Sequence, residues 1–249
     1  MQELSPRFWA RLGGVLYLII IVVGISGEVF VRGRLIVPDD PAATAERIRS
    51  SELLWRAGLA SELFMLACAV VLVLVFYVLL RPVNRDLALL AAFFNLVSIT
   101  LEASNKVHLI ATLFPLGNKD YLKAFEPAQL YALAYNSTRA HALGYGVNLI
   151  FFGFVCVVLG YLIFRSGYLP KVIGVLMLIA GPCYLLNSFS ILVAPAFGSH
   201  VLPFVAAPIL LGEGSVCLWL LLKGVNMERW SVRTKPVPTA VGAYRVSLR

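Results

Sequence analysis

The chain has 249 residues, 60% of them hydrophobic and only 14% charged, with a mean hydropathy of +0.85. A soluble domain carries roughly 45–50% apolar and about 25% charged residues, and its core volume is bounded by its size, so the surplus apolar side chains require a hydrocarbon solvent. The net charge of +8 is spread in short basic runs beside apolar stretches, which is a membrane-topology pattern and excludes a nucleic-acid-binding stripe.

In chain order, MQELSPRFWAR leads into an apolar segment with no small-residue cleavage site, so the first helix is expected to stay as an anchor. Crossing about 30 Å of hydrocarbon takes about 20 apolar residues. Suitable segments lie at 12–31, 57–80, 87–114, 138–164, 172–194 and 202–222. The third and fourth are long enough to tilt or to project beyond the bilayer. The prediction is an all-α polytopic membrane helix bundle of about six transmembrane helices. Residues 1–226 form its single domain, and 227–249 form a mobile basic tail. That tail has two prolines, five basic residues and one acid, and it is expected to touch anionic lipid head groups at about 1 kcal/mol per basic residue.

Lys and Arg counts set the orientation. With the N-terminus inside, the inner segments hold 12 basic residues against 7 for the outer segments 32–56, 115–137 and 195–201. The bias puts both termini in the cytoplasm of a cell that carries the protein in its plasma membrane. In the first outer loop Asp39, Asp40 and Pro41 signal the start of a short interfacial helix. The second outer loop carries Tyr121, Phe125, Tyr131 and Tyr135, which suit an aromatic belt or a lid. Cys68, Cys156, Cys183 and Cys217 all lie in apolar runs without metal-type spacing, so no disulfide is expected.

Four carboxylates fall inside the spans: Glu28, Glu62, Glu102 and Glu213. A charge at the bilayer centre costs roughly 2.5–3.5 kcal/mol, so each needs a partner or water. Lys106, His108, Arg139 and His141 are the basic counterparts, and Asn95, Asn105, Asn148 and Asn187 add amides. On the expected topology most of these lie in the outer half, with Glu213 near mid-membrane. One outward-facing polar pocket is the economical explanation, with Glu62, Glu102, His141, Asn148, Asn187 and Glu213 as its ligand-binding residues. Asn95, Glu102, Asn105 and Lys106 share a helix face, as do His141, Gly144, Tyr145 and Asn148, and Tyr17, Gly24 and Glu28. Glu28 with Arg32 and Glu102 with Lys106 equally fit snorkelling i,i+4 pairs. Lys106 and Arg139, near helix ends, read as snorkelling, and His108 as interfacial. A lone intramembrane His such as His141 is more often a hydrogen-bonded packing residue than a ligand. Glu62, His141 and Glu213 would make a three-ligand set, but no HExxH or comparable spacing supports a metal. No cofactor and no catalytic residue is assigned, and P-loop, dinucleotide and GxSxG motifs are absent.

Several spaced motifs carry a resemblance: Ala10-Arg11-Leu12-Gly13-Gly14-Val15-Leu16-Tyr17-Leu18, Arg81-Pro82-Val83-Asn84-Arg85, His141-Ala142-Leu143-Gly144-Tyr145-Gly146, Arg165 to Lys171, and Leu220 to Asn226. Together they resemble the bacterial domain-of-unknown-function family 4386 over nearly the whole chain. The resemblance implies a multi-pass membrane protein without an assigned activity, and it transfers no functional residues.

Three functions follow, in order. The first is an uncharacterised membrane protein that binds or translocates a small ligand or a proton through the outward-facing pocket. The second is a structural or signalling protein whose polar groups only pack helices. The third is a membrane-embedded, lipid-acting enzyme with His141 as base or metal ligand. Membrane lipids are the expected partners, with a small-molecule ligand or proton and no nucleic acid.

Overall fold

The computed structural model describes residues 5–234, and no strand occurs among them. Helix α1, Pro6–Ser26, starts at a proline and is capped by Ser5, whose hydroxyl oxygen accepts from the Phe8 N–H at 3.2 Å. It runs without a break through a π-helical turn, Gly27–Arg32, into a last turn, Gly33–Leu35. Next come α2 (Pro41–Ser50), α3 (Glu52–Leu80), α4 (Arg85–Ala111), a 3-10 turn (Asp120–Ala124) and α5 (Pro127–Ser166). The described residues end with α6 (Lys171–Val193), α7 (Pro195–Leu222) and α8 (Met227–Thr234). Six stretches are long and apolar enough to cross a membrane: Pro6–Leu35, α3, α4, α5, α6 and Pro203–Leu222. The large apolar side chains left exposed on them, such as Phe64, Phe204 and Leu211, need hydrocarbon around them. The architecture is the all-α polytopic membrane bundle that composition requires.

The helices pack in a fixed order. Helix α1 lies against α3 and α7, α3 against α4, α4 against α5, and α6 between α5 and α7. Contacts define a terminal end and a loop end. At the terminal end the Tyr168 hydroxyl donates to Leu79 O at 2.5 Å, and Tyr168 O accepts from Asn226 N at 3.2 Å. Trp230 of α8 meets the Tyr168 ring edge-on at 4.8 Å between centroids, and Arg229 donates to Gly167 O at 3.1 Å. This ties the α3–α4 turn, the α5–α6 turn and the end of α7 into one knot. At the loop end, Asp40 caps α2 by accepting from Ala43 N at 2.9 Å, so the short helix read from the Asp-Pro start is present.

Helix α5 is longer than the span expected at 138–164. Its 40 residues make about 60 Å of helix at 1.5 Å per residue, twice the hydrocarbon thickness. Pro127 suits the first turn, and Glu126 and Gln129 form a reciprocal capping box, so residues expected in the outer loop join the helix. Tyr135 on this extension accepts from the Asp39 N–H at 2.8 Å, tying it to the α1–α2 loop. The expectation of a mobile tail at 227–249 falls mostly outside the described residues, and its first part, Met227–Thr234, is helical.

Helices α5 and α6 meet through paired glycines. A Cβ on Gly174 would lie 2.8 Å from Gly160 O and 2.5 Å from Phe164 N, and one on Gly181 would lie 2.8 Å from Gly153 O. Within each helix the two glycines are seven residues apart, two turns on one face. Small residues let membrane helices approach where no hydrophobic effect draws them together. A Gly174→Leu substitution should therefore lower stability by roughly 1–3 kcal/mol through overpacking. The thermal midpoint in detergent reads this out, and an unchanged midpoint would contradict the close approach.

Candidate functional site

The expensive side chains do not scatter. Arg32, at the end of the π-helical turn, donates through Nε to Glu28 at 2.8 Å and through Nη1 to Glu62 Oε1 at 2.6 Å. The Lys106 ammonium sits 2.8 Å from Glu62 Oε2 and 2.5 Å from Glu102 Oε1. Asn148 Nδ2 donates to Glu102 Oε2 at 3.2 Å, and the Ser98 hydroxyl donates to Asn148 Oδ1. The result is one continuous ladder across four helices: α1, α3, α4 and α5. Glu62, Glu102, Lys106 and Asn148 are all buried, with side chains of Lys106 and Glu62 only 3% and 2% exposed. Snorkelling, expected for Lys106, does not occur. The ammonium turns inward because two carboxylates on neighbouring faces hold it. The Glu28 side chain, 70% exposed, is the peripheral rung.

Local sequence makes room for these groups. A Cβ on Gly27 would lie 2.1 Å from Glu62 Oε1, and one on Gly144 would lie 2.1 Å from Asn105 Oδ1. Any larger residue at either position would collide with the polar group opposite. The π turn inserts one extra residue per turn at the same place, a deformation found often at functional sites. Above the ladder, toward the loop end, Val31, Leu35, Ile48, Trp55 and Leu109 form an apolar cap, and Trp55 Nε1 donates to Leu109 O at 2.9 Å. A second, larger apolar cluster fills the bundle toward the terminal end. A cavity of about 10 Å³ beside Arg32, Glu62, Gly27 and Gly58 has room for about one water.

His141 is adjacent but differently occupied. Asn105 Nδ2 lies 2.8 Å from His141 Nδ1 and donates to His141 O at 2.9 Å. A backbone carbonyl can only accept, so the amide nitrogen faces the ring and Nδ1 is an acceptor, which puts the neutral ring's proton on Nε2. This is the hydrogen-bonded packing histidine weighed from the sequence.

Glu213, at the middle of Pro203–Leu222, belongs to a second cluster. Its Oε2 accepts from the Tyr17 hydroxyl at 3.1 Å, and its Oε1 accepts from the Tyr184 hydroxyl. No hydrogen bond or ion pair among the described residues joins it to the ladder. Asn187 is buried on α6, one turn from Tyr184, and its Oδ1 has no partner among the described residues. The expected single pocket is thus two polar clusters. Glu62, Glu102 and Asn148 are linked, His141 lies beside them, and Glu213 with Asn187 lies apart. Among the described residues no group of three or more His, Cys, Asp and Glu is placed to hold a metal ion.

Sequence reasoning passed over Ser98, Tyr17 and Tyr184 as partners. Ser98 was findable, since it precedes Glu102 by one turn. Tyr184 was not, because a lone hydroxyl in an apolar run carries no periodic signal, and the spacing that puts Tyr17 on the face of Glu28 gives no link to Glu213 on another helix. Removing the shared cation should be costly. Lys106→Met leaves Glu62 and Glu102 buried with too few counter-charges, a loss of about 3–5 kcal/mol. Adding Glu102→Gln to that variant should restore part of the stability in a detergent melt. A Lys106→Met protein as stable as the parent would show that the ammonium is not so placed.

The family model for the domain of unknown function DUF4386 matches residues 12–224. An uncharacterized protein of the archaeon Archaeoglobus fulgidus is 27% identical over 154 residues, covering 61% of this chain and 74% of that protein. No solved structure matches. The matched region takes in both polar clusters and, apart from the first six residues of Pro6–Leu35, the six spans, and the chain belongs to the DUF4386 family.

Proposed function

We propose that this protein binds and relays a proton within the membrane, with Glu213 as the exchanging group and the ladder of Arg32, Glu62, Lys106 and Glu102 as a fixed electrostatic frame. The carrying observation is the contrast in partners. Glu62 and Glu102 each face a cation within 2.8 Å, whereas the partners of Glu213 are two tyrosyl hydroxyls. Among the described residues no cation is paired with Glu213, and an ionisable group at mid-span is expensive and by default functional. The orphaned Asn187 Oδ1, one turn nearer the loop end than Tyr184, supports a water there. That water would extend a hydrogen-bonded path from Glu213 toward the loop end. The packing supports a proton over a larger solute, because the cavity beside the ladder has room for about one water. A small solute would reach Glu62, Glu102, His141 and Asn148 only if helices parted. The excess of Lys and Arg in the segments at the terminal end supports a plasma-membrane protein with both termini in the cytoplasm.

A second reading has its own support. The buried ladder pairs two carboxylates with two cations, Arg32 and Lys106, and a balanced set of this kind serves equally to fix helix positions.

The two readings separate in liposomes holding a pH-sensitive dye. Under the proposal, vesicles with the protein lose an imposed pH gradient faster than empty ones. Glu213→Gln abolishes that difference, Tyr184→Phe weakens it, and neither variant melts more than a few degrees lower. A gradient that decays alike with and without protein, or that Glu213→Gln leaves unaffected, would overturn the proton role.

A further inference from the structure

Away from both clusters, at the terminal end, lies a cleft of about 520 Å³ lined by Tyr77, Arg81, Pro82, Arg85, Arg233 and Thr234. Three guanidinium groups converge there from the α3–α4 turn and from α8. All three arginines are exposed, and none has a carboxylate partner among the described residues. Asp86 and Glu228 are close in sequence but do not line the cleft. Arginines without carboxylate partners that face one space can hold an anion between them, and their planar forks suit the oxygens of a phosphate.

What lies beneath the cleft selects the source of that phosphate. On α3, Val70, Leu74, Tyr77 and Arg81 follow one another by steps of four, three and four, on one face. On α4, Arg85, Leu89 and Phe93 do the same by steps of four. Val70, Leu74, Leu89 and Phe93 are all exposed, between 39% and 55%. From the basic cleft, exposed apolar side chains therefore run along each of the two packed helices. A free phosphate has no use for such side chains, but a phospholipid covers both parts at once. Helix α8 is held in position by Trp230 on Tyr168 and by Arg229 on Gly167 O, which brings Arg233 over the α3–α4 turn. We infer that this cleft is a binding site for one anionic phospholipid, its phosphate held by Arg81, Arg85 and Arg233 and an acyl chain lying along Leu74, Leu89 and Phe93.

Native mass spectrometry of the full-length detergent-purified protein tests this, with phosphatidylglycerol, phosphatidylcholine or inorganic phosphate added separately. Phosphatidylglycerol should give a retained one-to-one adduct, phosphatidylcholine a weaker one, and inorganic phosphate none. Each arginine changed to glutamine should weaken phosphatidylglycerol binding roughly fivefold, and the triple variant about a hundredfold. If the triple variant fails to fold, Arg233→Gln alone carries the test, since it sits outside the spans. Equal retention of phosphatidylglycerol and phosphatidylcholine, retention unchanged in Arg233→Gln, or phosphate binding as tight as the lipid would each overturn the inference.

Discussion

Lys106 is the hinge of this structure's energetics. Its ammonium lies between Glu62 and Glu102, which belong to different helices, in an environment where a lone charge is expensive and a paired one tolerable. Helices α3 and α4, and the first helix through Arg32, must therefore arrive in register before these groups are tolerable in the membrane. Apolar packing alone would not demand that register, because lipid tails solvate leucine as well as another helix does. The ladder supplies the specificity that burial supplies in soluble proteins.

The surrounding features follow from accommodating it. Gly27 and Gly144 are positions where a side chain would strike Glu62 or Asn105. The π-helical turn Gly27–Arg32 places Arg32 where it bonds both Glu28 and Glu62. The apolar cap around Trp55 and Leu109 shields the pairs from the loop end, and the larger apolar cluster shields them from the other. Glu213 stands outside this arrangement, on α7, with hydroxyl donors from α1 and α6. Among the described residues the polar interior thus divides into a ladder whose carboxylates face cations and a carboxyl group whose partners are hydroxyls.

Much of this was legible in the residues. The six spans follow from length and hydropathy, and the Asp-Pro start of α2 from capping chemistry. Of Asn95, Glu102, Asn105 and Lys106, which share a face by helical spacing, Glu102 and Lys106 pair in the ladder and Asn105 bonds His141. What could not be read is which helix each face addresses. The cost of a charge in hydrocarbon says that Glu62 needs a partner, but only tertiary packing decides that it meets Arg32 and Lys106 and not Glu213. Snorkelling is the local reading of Lys106 because Glu102, one turn away, is visible in the sequence but Glu62, on another helix, is not. The extent of α5 was hidden for a different reason. Its first residues, Ala-Gln-Leu-Tyr, are mixed in polarity, and hydropathy stops where helix propensity and the Glu126 cap continue.

The central interaction is open to direct measurement by solid-state NMR of the protein in lipid bilayers, with ¹⁵N in the lysine side chains and ¹³C in the glutamate carboxyls. Dipolar recoupling should show the Lys106 Nζ close to two carboxyl carbons, one contact vanishing in Glu62→Gln and the other in Glu102→Gln. A Lys106 signal coupled to neither carboxyl, with the chemical shift of a solvated ammonium at the interface, would contradict the account at its base.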